Sequence, residues 1–342
     1  MRILAIETSC DETGVAVVED GRRIRSNVVA SQTAHQATGG IVPEVAAREH
    51  LRALDPMIEQ ALREAGMELR EVDSIAATVG PGLIGALLVG ANYGRGLALA
   101  AGLPFVGVNH LEGHVYANWL YETDDEGEGT AVSPVAPPEP ELPAVVLVVS
   151  GAHSDLVLME AHRRFRLLGH TIDDAAGEAY DKVARLLGLG FPGGPEIERT
   201  ARDGDPAAYQ LPKAWLPDRY DFSFSGLKTA SLRLVRSLEA KGAVPVADVA
   251  ASFQKAINDA LAEKVARAAA EHGVRTVMLG GGVAANGPLR AEIQRRTSLP
   301  LRVPPPRLCT DNGAMIGAAA FFSLRHRTGE IPSLVRSSMP LA

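Results

Sequence analysis

The stretch Arg2-Ile-Leu-Ala-Ile-Glu-Thr-Ser-Cys-Asp-Glu-Thr-Gly-Val-Ala-Val-Val18 sets two apolar runs on either side of a polar, turn-rich loop. Asp20-Gly21 follows as a hairpin signal, so the spacing predicts strand, polar loop, strand, turn and third strand. The pattern returns at Ala144: residues 144–149 are apolar, Ser150-Gly-Ala-His-Ser-Asp155 is small and polar, and residues 156–159 are apolar again. A β-meander that recurs and is followed each time by helical stretches predicts an α/β chain of two duplicated lobes around a cleft. The expected division is residues 1–115 plus a closing helix 315–342 in one lobe and residues 116–314 in the other.

Working outward, Pro43 suits a first helical turn, and an amphipathic helix is expected from there to about Ala65. A strand over Asp73–Val79 leads into Gly80-Pro-Gly-Leu-Ile-Gly85, which formally matches G-x-G-x-x-G. A dinucleotide fold also requires an acid about 20 residues on, and none stands near Gly102. The motif therefore reads as a tight strand-to-helix turn, with Gly85, Ala86, Gly90 and Ala91 letting the helix pack closely. Asp173 is placed to cap the helix that follows it. Tyr220-Asp-Phe-Ser-Phe-Ser-Gly-Leu-Lys-Thr229 reads either as edge strand and turn or as serines and Lys228 against a phosphate. A long helix is expected over 247–272. The strand Val274–Leu279 opens into Gly280-Gly-Gly-Val-Ala-Ala-Asn-Gly287, a strand end where backbone can lie against a nucleotide. No G-x-x-x-x-G-K-[ST] exists, which excludes a P-loop.

The 342 residues suffice for two cores. The formal net charge of −7 argues at first against a nucleic-acid partner. Yet Glu122–Glu141 holds seven acids and no Lys or Arg, and without it acids and bases balance at 34 each. The acidity is one Gly- and Pro-rich insertion, expected as a mobile loop over 122–143, so a basic patch elsewhere is compatible with the composition. Two cysteines, Cys10 and Cys309, without a C-x-x-C spacing fit a reducing, cytoplasmic setting. No uninterrupted apolar run reaches the roughly 18 residues that span a bilayer, and the N-terminus lacks the order of a signal peptide.

The chemistry gathers around His110-Leu-Glu-Gly-His114. On a helix, positions i and i+4 share a face, so both imidazoles point the same way and can grip one metal ion. Two packed or solvated surface histidines are the plain alternative. Glu112 falls on the far side, unlike the Glu of H-E-x-x-H. Asp311, at the head of the small-residue helix 314–323, is a third candidate ligand that would leave positions open for water or substrate; otherwise Thr310 or Asp311 is simply a helix cap. Asp11 and Glu12 are adjacent acids in the first loop, either solvated or catalytic.

From end to end the chain resembles the TsaD/Kae/OSGEP family of tRNA N6-adenosine threonylcarbamoyltransferases. The carriers are Glu7-Thr-Ser-Cys-Asp-Glu-Thr13, Gly39-Gly-Ile-Val-Pro-Glu44, Gly80-Pro-Gly82, His110-Leu-Glu-Gly-His114, Asp174-Ala-Ala-Gly-Glu178, Phe191-Pro-Gly-Gly194, Phe222-Ser-Phe-Ser-Gly-Leu-Lys228, Gly281-Gly-Val-Ala-Ala-Asn286 and Cys309-Thr-Asp-Asn-Gly-Ala314. The resemblance implies an actin-like fold of the sugar kinase and heat-shock ATPase class, with two ribonuclease H-like lobes. It implies transfer of the threonylcarbamoyl group of threonylcarbamoyl-AMP to N6 of adenosine 37 in tRNAs reading codons that begin with A. It further implies one Fe²⁺, or Zn²⁺, held by His110, His114 and Asp311. An adenylate or adenine nucleotide would be held by Val148, Val149, Ser150, Gly151, Ala152, Asp181, Gly194 and Asn286, and Asp11 and Glu12 would be catalytic. The partners implied are tRNA, a smaller TsaB-type paralogue and, in a bacterium, a TsaE-type P-loop ATPase, with no membrane. Relatives read L-V-S-G-G-H-T where this chain has Ala152 and Ser154, so the loop must accept a Cβ at 152. A metal-dependent peptidase and an actin-like ATPase or chaperone-type binding protein are the competing classes.

Overall fold

A computed structural model describes residues 1–32, 41–122, 136–212, 219–326 and 332–341. Gly39-Gly40 and most of the acidic insertion, residues 123–135, lie outside the described residues. The chain forms two compact units, Met1–Pro140 with His162–Arg164 and Thr310–Ala342, and Glu141–Ala161 with Phe165–Cys309.

In the first unit, strands β1 (Arg2–Glu7), β2 (Glu12–Glu19), β3 (Arg23–Ser31), β4 (Ser74–Gly80), β5 (Phe105–Asn109) and the short β6 (Tyr121–Glu122) form one sheet. Their order is β5-β4-β1-β2-β3-β6, with β1, β2 and β3 antiparallel and β4 and β5 joined in parallel. The helices are α1 (Pro43–Glu64), α2 (Ile84–Ala101), α3 (His110–Tyr116) and the later α10 (Gly313–Arg325). Alternate residues of the central strands serve two layers. Leu4, Ile6, Val15 and Val17 pack with Leu54, Met57, Ile58 and Ala61 of α1. Ala5 and Val18 face α10, where a Cβ on Gly317 would meet Val18 Cγ2 at 2.7 Å. Because both faces are covered, β4 is buried throughout and β1 from Ile3 to Glu7, without an alternation of apolar and exposed polar residues. Each such fully buried aliphatic side chain contributes about 1.5–3 kcal/mol.

The second unit repeats the plan. Strands β7 (Ala144–Val149), β8 (Ser154–Ala161), β9 (Arg164–Gly169), β10 (Thr276–Gly280) and β11 (Leu301–Arg302) run in the order β11-β10-β7-β8-β9. The first pair is antiparallel and β10 and β11 are parallel, as for β1, β2, β4 and β5. Substituting first strand for first strand, this order matches β5-β4-β1-β2-β3, with β6 an addition at the edge of the first sheet, so the duplication expected from sequence is present in the topology. The helices are α4 (Ala176–Leu186), α5 (Gly193–Ala201), α6 (Ser225–Glu239), α7 (Val246–Glu271), α8 (Gly287–Arg296) and the single turn α9 (Pro306–Cys309). Val145, Leu147 and Val149 share a core with Tyr180, Ile197, Phe253 and Ile257 from α4, α5 and α7.

Several local readings need correction. Asp173 does not cap α4, whose N-cap is Ala175; its carboxylate accepts from Ser223 Oγ (2.5 Å) and from the N–H groups of Phe224 (2.8 Å) and Ser225 (3.3 Å), capping α6 from outside. Lys228 is paired with Asp174, and residues 220–224 form an isolated bridge, Thr171 to Phe222, before α6 begins. The cap of α10 is Asn312, which accepts from Met315 N–H at 3.0 Å, not Thr310 or Asp311. Finally, α2 is long and apolar enough to cross a membrane by length and composition. Asn92, Tyr93 and Arg95 interrupt its run in the sequence, and Gly94 packs against β5, where a Cβ would meet the Phe105 ring at 3.1 Å.

Candidate active site and metal centre

The helix that carries the two histidines is enclosed along its whole length. Asn109 caps α3 through its side-chain oxygen, which accepts from Leu111 N–H at 2.8 Å, and every residue from His110 to Tyr116 is buried. The i, i+4 spacing brings the rings into contact, with centroids 4.7 Å apart. Asp311 enters because the start of α10 rides directly on β2: a Cβ on Gly14 would meet Gly313 N at 2.6 Å, and one on Gly313 would meet Ala16 N at 2.6 Å. Asp311 Oδ1 then lies 3.5 Å from His110 Nε2 and 3.2 Å from His114 Nε2. One donor atom from each of the three lies within 4.8 Å of the other two.

The donor set fits a metal ion. Two imidazole nitrogens and a carboxylate are the ligands that borderline divalent metals take. Both ring nitrogens of His114 are buried without a hydrogen bond among the described residues, a cost that a bound cation removes. The other nitrogen of His110 is spoken for: Nδ1 is 3.1 Å from Glu7 Oε2 and 3.1 Å from Ser9 Oγ. An imidazole Nδ1–H held by a carboxylate leaves Nε2 as the ligand atom, the arrangement of a metal-binding histidine with an oriented outer partner.

Glu7 was not anticipated as part of this site. It ends β1 fully buried, also accepts from Thr78 Oγ1 (2.5 Å) and Ser9 N–H (2.5 Å), and is therefore satisfied on both oxygens. The only sequence signal was an acid closing an otherwise apolar strand. Burial alone would raise its pKa; His110 outweighs that and holds it below the usual carboxylate value. Burial opposes charge on His110 in turn, but Asp311 and Glu7 raise its pKa to about 9. The same acidic surroundings favour any cation at Nε2, so proton and metal compete for it.

The loop between β1 and β2 is packed against α2 and the turn before it. A Cβ on Gly82 would meet Ser9 O at 2.5 Å and one on Gly90 would meet Thr8 Oγ1 at 2.2 Å. Asp11 and Glu12 leave this loop, and Glu12 is pushed up to about 9 by burial, by Asp311 and by Asp11. Glu112 faces away from the histidines: its Oε2 is 3.6 Å from Arg163 Nε. Burial pushes the Glu112 pKa up and Arg163 pulls it down. An acid so engaged is not placed as the base of a zincin peptidase.

In the second unit, Val148 and Val149 end β7, Ser150, Gly151 and Ala152 form the loop after it, Asp181 lies within α4, Gly194 in the first turn of α5, and Asn286 caps α8. Ser150 Oγ accepts from Ala152 (3.4 Å) and His153 (3.2 Å) N–H groups, and Ser150 N–H donates to His153 O (2.8 Å). Ala152 has no positive φ, so the Cβ that relatives lack is accommodated without strain. Gly281 (φ +87°) lies against Val149, where a Cβ would meet Val149 O at 2.4 Å, and a Cβ on Gly177 would meet Ser150 O at 2.5 Å. Asp181 accepts from Gly193 N–H at 2.7 Å while burial raises its pKa. A Cβ on the next residue, Gly194, would meet nothing. Asn286 caps α8 through Leu289 N–H (2.9 Å), donates to Glu198 Oε2 (3.0 Å) and Gln254 Oε1 (2.9 Å), and accepts from Asn258 Nδ2 (3.1 Å).

A family model described as TsaD, tRNA N6-adenosine threonylcarbamoyltransferase, matches residues 23–318. The chain belongs to the TsaD family. Relatives carrying that name include one from Thermomicrobium roseum, 49% identical over 363 residues and covering 100% of this chain and 97% of the relative. Another, from Symbiobacterium thermophilum, is 51% identical over 327 residues, covering 94% and 92%. The enzyme is thus a tRNA-modifying transferase, and the peptidase and chaperone readings are not favoured. Among solved structures, HypF of T. kodakarensis aligns with a TM-score of 0.59 at 15% identity, over 95% of this chain and 48% of that one. The Acidaminococcus fermentans (R)-2-hydroxyglutaryl-CoA dehydratase component A aligns with a TM-score of 0.53 at 16% identity, over 94% and 97%. At those identities the likeness is of fold, and the fold is the actin-like one.

Proposed function

We propose that this enzyme moves the threonylcarbamoyl group from threonylcarbamoyl-AMP to N6 of adenosine 37 in tRNAs reading codons that begin with A. The observation that carries the site assignment is the convergence of His110, His114 and Asp311 within 4.8 Å of one another in a chain of this family. Those three residues would hold one ion, Fe²⁺ in our reading with Zn²⁺ the alternative. When bound, such an ion supplies Lewis acidity toward carbonyl and phosphate oxygens.

The chain's own residues do the rest. Glu7 fixes the His110 ring through Nδ1. The loop Val148, Val149, Ser150, Gly151 and Ala152, with Asp181, Gly194 and Asn286, holds the adenylate: small side chains and turn N–H groups suit a phosphate, and Asn286 belongs to a rigid amide network. The N6 amine forms the new N–C bond, the bond from the carbonyl carbon to the phosphate oxygen breaks, and AMP leaves with that electron pair. The amine's proton passes to a carboxylate, Glu12 or Asp11. Because the acyl donor is already activated, positioning and charge stabilisation supply most of the rate. The proposal includes a TsaB-type paralogue and a TsaE-type P-loop ATPase as partners and a cytoplasmic setting.

The test is mass spectrometry of tRNA nucleosides after incubation with ATP, threonine, bicarbonate and the partner proteins. The expected result is a threonylcarbamoyl adduct on adenosine that disappears when His110→Ala and His114→Ala are combined. An adduct formed at the wild-type rate by that double variant after metal removal would leave the metal structural at most.

A further inference from the structure

The exposed side of α6 carries positive charge that no acid among the described residues pairs with. Leu227, Ser231 and Val235 bury one face of this helix; Gly226, Thr229, Arg233 and Arg236 occupy the opposite, exposed one. Lys241 follows just past the helix end, also exposed. Arg233, Arg236 and Lys241 have no ion pair among the described residues. Glu239 stands three positions beyond Arg236, yet no pair forms between them. The neighbouring helices behave differently. On α7, Lys255 is tied to Asp259 (2.6 Å) and Arg267 to Glu271 (3.7 Å); on α8, Arg296 reaches Asp259 (3.1 Å), Glu263 (3.1 Å) and Glu292 (2.6 Å). A cation in the last helical turn complements the macrodipole, which accounts for Arg236 but not for Arg233 a turn earlier. Two like charges three residues apart disfavour the isolated helix, so nothing within α6 itself favours the pair.

We infer that this face of α6 is a contact for the phosphate backbone of the tRNA substrate. Arginine is the side chain suited to bidentate phosphate recognition, and an unpaired one is available without breaking an internal bond. Gly226 and Thr229 on the same face are small, with open space at the Gly226 Cβ position, so a nucleic-acid backbone can approach the helix there. In a chain of net charge −7 a polyanion needs such a local positive strip, and tRNA is the polyanion this family acts on. The inference rests on the transferase reading for its choice of ligand.

The experiment titrates unmodified tRNA transcript into the full-length chain, alone and with its partner proteins, at several salt concentrations. Arg233→Gln with Arg236→Gln is expected to raise Kd at least about 5-fold near 0.1 M salt and to reduce the slope of log K against log salt by about 2. KM for tRNA should rise with kcat at saturating tRNA unchanged. Arg233→Lys with Arg236→Lys should keep the wild-type salt slope and raise Kd less than the glutamine pair does, and Arg48→Gln with Arg63→Gln on α1 should change nothing. If the double glutamine variant melts early, the single Arg233→Gln variant decides, with a slope change of about 1. Unchanged Kd and slope overturn the inference, as does loss of partner-protein binding with tRNA affinity intact. Wild-type enzyme that binds tRNA but forms no adduct would instead count against the proposed reaction, while the binding comparison still judges this face.

Discussion

Glu7 Oε2 stands 3.1 Å from His110 Nδ1, with the carboxylate fully buried, the same oxygen also accepting from Thr78 Oγ1 and the other oxygen from Ser9 N–H. This carboxylate orients a ring whose far nitrogen faces Asp311. Glu7→Gln keeps the shape but removes the charge. It is expected to lower metal affinity about 10–100-fold, with the bound metal read by elemental mass spectrometry after dialysis against a weak chelator. A variant that retained stoichiometric metal as firmly as wild type would mean that Glu7 serves only the packing of β1.

Asp173 gathers Ser223 and the first N–H groups of α6 onto the loop that leads to α4. Asp173→Ala should cost about 0.5–2 kcal/mol, the range for losing a helix cap. Faster amide exchange should be confined to residues 224–229. Asp173→Asn, which keeps an acceptor, should cost less; equal losses would show that charge, not capping geometry, sets the effect.

Two adjacent glycines make an internal control. Gly281 combines φ +87° with a Cβ position 2.4 Å from Val149 O, while a Cβ on Gly282 would meet nothing. Gly281→Ala is expected to destabilise by roughly 1–3 kcal/mol and to weaken adenylate binding, because the displaced atoms belong to the 148–152 loop. Gly282→Ala should leave the denaturation midpoint within the scatter of wild type.

His162, at the turn between β8 and β9, stacks on Phe322 (4.5 Å) and His326 (4.6 Å). Burial, then the proximity of His326, lowers its pKa to about 4. The unfolded chain takes up this proton near pH 6.5 and the folded one only near 4, so stability is full above about 6.5 and declines as the pH falls toward 4. Replacing the ring by Phe should flatten that part of the stability profile, measured by urea midpoints at pH 7 and pH 4.5. A profile of unchanged slope would assign the acid loss to other groups.

Much of this was legible in the residues. The repeated apolar–polar–apolar pattern at 2–18 and 144–159 announced the doubled meander, and the i, i+4 histidines announced a shared helix face. What was hidden depended on partners distant in sequence. Asp173 looked like a cap for the helix beside it, yet its bonds go to residues about fifty positions away. Asp311 looked like a possible cap until Asn312 was found in that role. Glu7 was read as part of a strand and loop because nothing in its neighbourhood names His110, which lies 103 residues on. Local propensity fixes elements well, but it carries no information about which loops the sheet order brings together.

The end of each first strand pairs with the second: Glu7 lies opposite Gly14, two residues past the start of β2, and Val149 lies opposite Ser154, the first residue of β8. The connecting loops, residues 8–11 and 150–153, are the same length. One copy thus closes its strand with a carboxylate set against the His110 ring, the other with an aliphatic side chain. After gene doubling, a divergence at this single strand terminus would suffice to send the two halves toward opposite electrical tasks without altering the frame that carries either.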